Sequence, residues 1–248
     1  MADRGIILCG DAAELAQKAA EQWVVLTQQA IARSGRFAVA LSGGSTPKTL
    51  YSLLASPEYR GRVDWLRVHL FWGDERCVPP DHAESNYRMV QEALLSKIKI
   101  PPENVYRMTG EKEPAQAASE YENELRTFFQ LKPGQVPQFD LILLGLGDDG
   151  HTASLFPGTA PLNEKQRLVT TVYVERLKAH RLTLTLPVIN AGAQVSFLVS
   201  GESKSAIVKA LLGGDSGATQ YPAGRITPVN GKLAWFITQD AAAGIGSS

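Results

Sequence analysis

The stretch Phe139-Asp-Leu-Ile-Leu-Leu-Gly-Leu-Gly-Asp-Asp-Gly-His-Thr-Ala-Ser-Leu-Phe-Pro-Gly158 indicates the fold class of this chain. A continuous apolar run, Leu141 to Leu144, has the length of a strand and ends at a glycine. Such a run is typical of a strand that is covered on both faces, as in a parallel sheet. Open parallel sheets bind their ligands just beyond the carboxyl ends of the strands. The residues after Leu144 are therefore the first place to expect a functional site.

Two ionisable side chains in this segment are candidates for acid–base chemistry. Asp149 and His151 stand among the glycines that follow the strand. A carboxylate beside a histidine can orient the imidazole and tune it as a general base. The alternative interpretation is a polar turn that only leads the chain out of the strand.

The glycines at positions 145, 147 and 150 also match the dinucleotide-binding pattern G-x-G-x-x-G. The surrounding residues argue against that function. Asp148 and Asp149 would present two negative charges to a pyrophosphate. Pro157 interrupts the helix that should follow the glycines. We therefore do not expect a dinucleotide at these glycines.

The length and composition of the chain allow one large α/β domain or two small ones. The chain has 248 residues, of which 44% are hydrophobic, and a formal net charge of zero. We expect a single α/β domain over residues 1–248. A neutral balance gives no electrostatic argument for binding to nucleic acid or to an anionic membrane. No apolar run approaches the ~20 residues of a membrane span.

The reactive residue types are too dispersed for a metal site or a disulfide framework. Cys9 and Cys77 form no C-x-x-C pair, and the four histidines are scattered along the chain. We expect no bound metal. The start of the chain lacks a secretory pattern. We accordingly expect a cytoplasmic protein. We also expect a monomer.

Hydrophobic periodicity predicts strands that alternate with helices. Asp11, with Glu14 three residues later, predicts a capping box at the start of a first helix, which Gly35 ends. The predicted strands are 6–8, 37–41, 68–72, 141–144, 168–174, 181–186, 195–199 and 233–238. The further predicted helices are 47–54, 85–95, 114–130 and 201–212.

A glycine-rich turn, Ser42-Gly43-Gly44-Ser45-Thr46, joins the 37–41 strand to the next helix. Thr46 suits the N-cap position and Pro47 the first helical position. Converging backbone N–H groups at a helix N-terminus form a ready site for an anion such as one phosphate. The alternative is a tight turn with ordinary capping.

Two further strand ends carry charged residues. Asp74 and Arg76 follow the 68–72 strand, where the carboxylate suits a substrate hydroxyl or a catalytic proton and the guanidinium an anionic oxygen. Lys204 opens the helix after the 195–199 strand and could meet a phosphate. A solvated turn and an ordinary surface lysine are the alternatives.

Four successive strand ends thus carry polar clusters, at 42–46, 73–76, 145–151 and 201–204. In an alternating α/β pattern these ends meet at one edge of the sheet, which predicts a single cleft. Its groups suit an acid–base reaction on a small phosphorylated substrate. The G-x-S-x-G pattern is absent, which argues against a serine acyl-enzyme.

Several motifs of the chain resemble the 6-phosphogluconolactonase family, in the same order and over most of the length. The block at 145–157, Gly-Leu-Gly-Asp-Asp-Gly-His-Thr-Ala-Ser-Leu-Phe-Pro, is the most specific of them. The other blocks are Leu-Ser-Gly-Gly-Ser-Thr-Pro at 41–47, Trp-Gly-Asp-Glu-Arg at 72–76 with Ser-Asn-Tyr at 85–87, Arg-Leu-Thr-Leu-Thr-Leu-Pro-Val-Ile-Asn at 181–190, and Ser-Gly-Glu-Ser-Lys at 200–204.

The resemblance implies a fold and an activity. The fold would be a modified Rossmann-like parallel sheet flanked by helices, with additional short strands. The activity would be the opening of 6-phospho-D-glucono-1,5-lactone to 6-phosphogluconate in the oxidative pentose phosphate pathway, without a cofactor or a metal.

The resemblance also implies roles for individual residues. His151 would be the general base that activates water, and Asp149 would position or support it. The substrate's phosphate and carbonyl-side oxygens would be held by Ser42, Gly43, Gly44, Ser45, Thr46, Arg76, Arg181 and Lys204.

Two other classes of function remain open from the sequence. One is an aldose–ketose isomerase or deaminase that acts on a sugar phosphate, and the other is a sugar-phosphate sensor without catalysis. Deaminases of the same superfamily carry a glutamate five residues after the histidine, where this chain has Phe156. Phenylalanine cannot shuttle a proton, so we favour the lactonase.

Overall fold

The computed structural model describes residues 4–213 and 217–245 as strands and helices in alternation. The helices are α1 (Ala12–Ser34), α2 (Ser45–Leu54), α3 (Asn86–Ala93), α4 (Pro114–Phe128), α5 (Leu186–Asn190) and α6 (Ser205–Leu212). The strands are β1 (Arg4–Cys9), β2 (Phe37–Leu41), β3 (Val68–Trp72), β4 (Asp74–Arg76), β5 (Val105–Tyr106), β6 (Leu141–Leu144), β7 (Val169–Val174), β8 (Ala179–Leu184), β9 (Gln194–Val199) and β10 (Lys232–Thr238).

Seven strands form one parallel sheet in the order β1-β10-β9-β6-β2-β3-β5. Every residue of β2, β6 and β9 is buried, because helices cover both faces of the sheet. This arrangement confirms the predicted α/β class, with a parallel sheet flanked by helices. The four strands that precede the polar clusters, β9, β6, β2 and β3, are neighbours at the centre of this sheet.

Helix α1 shows how local sequence sets an element and its packing. The Asp11 side chain accepts hydrogen bonds from the backbone of Ala13 and Glu14, and Gly35 ends the helix with φ 74°. Glu14 does not complete a capping box with Asp11, since its carboxylate accepts from the N–H of Gly10 instead. The buried face of α1 includes the fully enclosed ring of Trp23, which meets Phe37 of β2 edge to face.

A second, antiparallel sheet of three strands, in the order β4-β8-β7, stands at the carboxyl edge of the large sheet. The chain passes from β3 to β4 through Gly73, whose N–H donates to Leu41 of β2 and whose carbonyl accepts from Leu184 of β8. These are the additional short strands that were expected. The small sheet therefore begins directly above the ends of β2 and β3.

Three local predictions differ from the structure. Helix α2 begins at Ser45 with Gly44 at its N-cap, so the prediction that Thr46 caps it was wrong. The Thr46 hydroxyl instead lies 2.7 Å from the Ser200 hydroxyl, a tertiary contact that the local sequence cannot signal. The predicted strand at 181–186 is shifted, because β8 ends at Leu184 and α5 starts two residues later.

The third difference concerns Asp74 and Arg76. They were expected to follow the 68–72 strand as a polar cluster, with a solvated turn as the alternative, but they belong to a strand of their own, β4, which pairs with β8. The strand is only three residues long, too short for a periodic signal, and its partner lies about a hundred residues further along the chain. The assignment of residues 1–248 to a single domain stays a prediction.

Candidate active site

A cleft of about 290 Å³ opens at the carboxyl ends of the central strands. All four predicted polar clusters contribute to its lining. The predicted site residues that line it are Ser42, Gly43, Gly44, Ser45, Thr46, Asp74, Arg76, His151, Arg181 and Lys204. Asp149, the remaining predicted residue, contacts His151 from behind.

The 42–46 turn presents backbone N–H groups to this cleft. The Tyr51 hydroxyl donates to the carbonyl of Ser42 and accepts from its N–H, and thus fixes the start of the turn. Among residues 4–213 and 217–245, the N–H groups of Gly43 and Gly44 donate no hydrogen bond to a backbone carbonyl. The turn leads into helix α2, whose N-terminus is favourable to negative charge. Its chemistry is that of an anion or oxyanion site.

Glycine is required at position 147 because the loop folds back closely on itself. A Cβ at this position would overlap Nδ1 of His151 and approach the Asp149 carboxylate within 2.8 Å. The Gly147 N–H donates to the carbonyl of His151 and closes the loop. The second glycine of the apparent dinucleotide pattern thus makes room for the histidine.

His151 and Asp149 form a hydrogen-bonded pair. The ring Nδ1 of His151 lies 2.5 Å from Oδ1 of Asp149, and the His151 backbone N–H lies 3.1 Å from the same oxygen. An ionised carboxylate can only accept, so Nδ1 carries the proton and Nε2 is the ring nitrogen left for the cleft. The His151 side chain is 25% exposed, which leaves it open to a substrate.

The charge of Asp149 follows from its surroundings. Burial by itself raises the pKa of this carboxyl, but the hydrogen bonds from the ring and backbone of His151, with the charge of Arg176, bring the pKa below its ordinary value. Arg176 approaches Oδ2 of Asp149 at 3.0 Å. The aspartate is therefore ionised at neutral pH and suited to hold the imidazole in one tautomer.

An apolar surface supports the other side of the imidazole. The ring of Phe156 stacks on that of His151, with centroids 4.3 Å apart and planes 28° from parallel. Phe156 also packs with Val172 and Val174 of β7 in a small hydrophobic cluster. The residue five positions after the histidine is thus a packing partner of the ring and offers no ionisable group to the site.

Asp74 is buried at the cleft wall and is already hydrogen-bonded. Its Oδ2 accepts from Ser154 at 2.7 Å, and its backbone carbonyl accepts from the Asn86 side chain. Asn86 in turn lies against Gly43, where an added Cβ would overlap its amide. These contacts connect the small sheet and helix α3 to the 42–46 turn.

Glu75 anchors helix α3 beneath that wall. Its carboxylate accepts from the backbone N–H groups of Asn86 and Tyr87 at 2.7 and 2.8 Å, and from the hydroxyl of Ser85. Burial raises the pKa of Glu75, and these backbone hydrogen bonds partly oppose the rise. The side chain points away from the cleft chemistry and holds the helix in place.

Arg76 and Arg181 stand directly opposite each other in the β4–β8 pair. Like charges in such cross-strand positions are destabilising. Burial, followed by the charge of Arg76, lowers the pKa of Arg181. The Nε atoms of both arginines are buried without a hydrogen-bond partner in the described chain. Both arginines line the cleft, where two opposed guanidinium groups are suited to bind an anionic oxygen.

Lys204 contributes a third cation to the cleft. Its ammonium lies 2.5 Å from the carboxylate of Asp148, which is itself largely exposed. This contact links the 145–151 loop to the turn before α6. A lysine on a flexible stem can exchange such an exposed partner for a phosphate.

The structure also adds residues that the sequence analysis did not single out. Ser154, Arg176 and Thr152 contact the predicted residues or line the cleft. The chain itself gave no periodic or motif signal for Arg176, which reaches Asp149 from a distant hairpin. Over the part of the chain that the structure describes, no group of three or more His, Cys, Asp or Glu side chains is placed to hold a metal ion. No helix there is long and apolar enough to cross a membrane.

The sequence of this chain is similar to those of a known protein family. The family model described as "Glucosamine-6-phosphate isomerases/6-phosphogluconolactonase" matches residues 10–235. A 6-phosphogluconolactonase of Synechocystis sp. is 48% identical over 214 residues, which are 86% of this chain and 86% of that protein.

Solved structures show the same similarity. A 6-phosphogluconolactonase from Trypanosoma cruzi superimposes with a TM-score of 0.85 at 31% identity, over 100% of this chain and 99% of that one. A monomeric glucosamine-6-phosphate deaminase superimposes with a TM-score of 0.81 over 97% of this chain and 99% of that one, at 20% identity. At that identity the deaminase shares the fold, and only the site residues can separate the two activities.

Proposed function

The chain belongs to the glucosamine-6-phosphate isomerase/6-phosphogluconolactonase family, and on this premise we propose that it hydrolyses 6-phospho-D-glucono-1,5-lactone to 6-phosphogluconate. The observation that carries the proposal is the placement of the Asp149–His151 pair in one cleft with the Arg76–Arg181 pair. The first pair suits activation of water, and the second suits an anionic substrate.

In the proposed mechanism, His151 is the general base. Nε2 takes a proton from a water molecule while the water oxygen forms a bond to the lactone carbonyl carbon. The carbonyl oxygen becomes an oxyanion, for which the N–H groups of Gly43 and Gly44 are suitable donors. The imidazolium then gives its proton to the ring oxygen as the carbon–oxygen bond breaks, and the carbonyl re-forms. One histidine performs both proton transfers in turn.

Asp149 supports this cycle because it holds Nδ1–H throughout and stabilises the imidazolium that forms in between. Asp74, buried and bonded to Ser154, would hold a substrate hydroxyl or assist a proton transfer. The anionic groups of the substrate would be bound by the 42–46 turn, Arg76, Arg181 and Lys204.

The isomerase or deaminase alternative is disfavoured by Phe156. Those reactions move a proton between neighbouring carbons, and the superfamily's deaminases carry a carboxylate at the corresponding position. Here that position holds an aromatic ring stacked on the histidine. Lactone opening needs no such shuttle, so the stacked ring is compatible with hydrolysis and leaves the other reactions without their acid.

The test is a pH-stat assay on freshly generated 6-phosphogluconolactone, corrected for spontaneous hydrolysis. We expect rapid hydrolysis of the phosphorylated lactone, poor turnover of unphosphorylated gluconolactone, and no effect of a chelator. Glucosamine-6-phosphate should not be deaminated, nor ribose-5-phosphate isomerised. Deaminase or isomerase turnover comparable to lactone hydrolysis would overturn the assignment. Binding of the lactone without turnover would favour the sensor. The cytoplasmic location and the monomeric state stay predictions.

A further inference from the structure

The tip of the β7–β8 hairpin reaches the back of the proposed catalytic pair. Arg176 lies in the short turn Glu175–Leu177 between these strands. Its Nη2 is 3.0 Å from Oδ2 of Asp149, while the other oxygen, Oδ1, lies against the imidazole and the backbone N–H of His151. The carboxylate is therefore held from two sides, by the histidine on one oxygen and by an arginine on the other.

The same hairpin also supports the ring of His151. Phe156 stacks on the imidazole and packs against Val172 and Val174 of β7. The Arg176 guanidinium lies 5.5 Å from the centroid of the Phe156 ring. Two independent contacts, one ionic and one aromatic, thus link the hairpin to both members of the pair.

We propose that Arg176 is a positioning residue for the reaction: by anchoring Oδ2 of Asp149 it fixes the plane of the carboxylate, and through Oδ1 it fixes the orientation of the His151 ring. The inference deepens the proposed function and rests on His151 being the base. A carboxylate held on one oxygen alone can rotate about its Cβ–Cγ bond. The second anchor removes that freedom, and catalysis depends on such preorganisation.

Arg176 also influences the charge of the pair. A guanidinium beside the carboxylate offsets part of the negative charge that stabilises the imidazolium. Loss of Arg176 should therefore make His151 easier to protonate. Other ionisable groups line the cleft or adjoin the Asp149–His151 pair, and every variant proposed below keeps them. These groups are Asp74, Arg76, Asp148, Arg181 and Lys204.

The experiment compares Arg176→Gln, Arg176→Lys and Lys178→Gln in the full-length protein. Lys178 is exposed on the same hairpin, and its side chain makes no contact with Asp149. Its replacement removes one positive charge from the hairpin and serves as the matched control. The measurements are the kcat and KM for lactone hydrolysis and the titration of His151 by ¹H–¹³C NMR. The chain has four histidines, so the signal missing in His151→Ala identifies the resonance.

We expect Arg176→Gln to lower kcat about tenfold, which is less than the roughly hundredfold loss caused by a 1 Å misplacement of a catalytic group. KM should stay within about twofold of the wild-type value, because the substrate contacts are unchanged. The NMR midpoint of His151 should be higher than in the wild type, because one nearby positive charge is lost. Arg176→Lys keeps the charge and should keep the wild-type midpoint. Lys178→Gln should leave both kcat and the midpoint unchanged.

Equal His151 midpoints in Arg176→Gln and Lys178→Gln would overturn the inference, as would an effect of Arg176→Gln on KM alone. A raised midpoint in Arg176→Lys equal to that of Arg176→Gln would also contradict it. The NMR titration does not require turnover. Absence of lactone hydrolysis in the wild-type protein would therefore refute the proposed function, whereas an unchanged midpoint in an active Arg176→Gln enzyme refutes only the positioning role.

Discussion

The two walls of the cleft differ in the chemical groups that they present to a substrate. The wall at the ends of the parallel strands consists of the 42–46 turn and the 145–151 loop, which offer backbone N–H groups and His151. The opposite wall is the small antiparallel sheet, which offers Asp74, Arg76 and Arg181. The first wall depends on close backbone packing at glycines, and the second on charges at opposed strand positions.

This difference suggests that one wall serves mainly the reaction steps and the other mainly substrate binding. Backbone groups and a histidine held by a tight loop are preorganised, so they suit the charge changes of the reaction itself. Guanidinium groups that line the cleft suit the fixed charge of a substrate. Changes in the parallel wall should therefore act mainly on kcat, and changes in the small sheet mainly on KM. The proposed roles of Arg176 and of Asp74 in a proton transfer are the exceptions, since these residues of the small sheet and its hairpin should act on kcat.

The largest expected effect is that of His151→Ala. The variant should lower kcat by about 10²–10⁴-fold, the usual contribution of a positioned acid–base group. KM should change little, because the proposed phosphate contacts are elsewhere. The measurement is the corrected pH-stat rate over a range of lactone concentrations. His180→Ala is the control, since that exposed ring lies against Tyr173 on the hairpin. Near-normal turnover in a folded His151→Ala protein would remove the histidine from the mechanism.

Gly147→Ala should come next in size and tests whether the loop geometry matters. The added Cβ would overlap the His151 ring, so the loop must shift and the base must move with it. A displacement of about 1 Å costs about 10²-fold in rate. Gly145→Ala is the comparison, because its Cβ would be in ordinary contact with Ser42 at 3.6 Å and should cost much less. Equal losses in the two variants, measured as kcat, would show that close packing at position 147 is not what holds the base.

Arg76→Ala should have the smallest effect of the three and should appear in KM. Loss of one charge-assisted contact raises KM about 10–100-fold. The loss should be seen with the phosphorylated lactone and be nearly absent with unphosphorylated gluconolactone. Arg107→Ala is the control, since Arg107 pairs with Glu111 outside the cleft. A fall in kcat without a change in KM in Arg76→Ala would contradict the proposal that the small-sheet wall acts mainly on substrate binding.

Much of the large sheet could be predicted from the chain alone. Apolar runs such as Leu141–Leu144 and Val68–Trp72 correspond to strands, since a strand buried on both faces has a local signature. The meeting of the four polar clusters could be predicted as well, because consecutive parallel strands bring their carboxyl ends to one edge. Strand β5 was missed, because two residues carry no periodicity.

The small sheet could not be derived in the same way. Arg76 was identified from its position after a predicted strand, and Arg181 by resemblance. Nothing in the sequence shows that they lie opposite each other. The two strands are separated by about a hundred residues, and one of them is three residues long. Pairing over such a distance depends on the whole fold rather than on local propensity.

The sequence by itself determined the chemistry that is available: a histidine two positions after an aspartate, glycine-rich turns at strand ends, and a phenylalanine where a shuttle acid would stand. Only the tertiary structure decided how these groups are held. In that structure the Phe156 ring stacks on the imidazole of His151, and the Thr46 hydroxyl contacts Ser200 instead of capping a helix. Arg176 contacts the second carboxylate oxygen of Asp149. Residue types and local periods are written in the chain. Contacts between distant segments exist only after the sheet and its hairpin have packed, because they depend on positions in space.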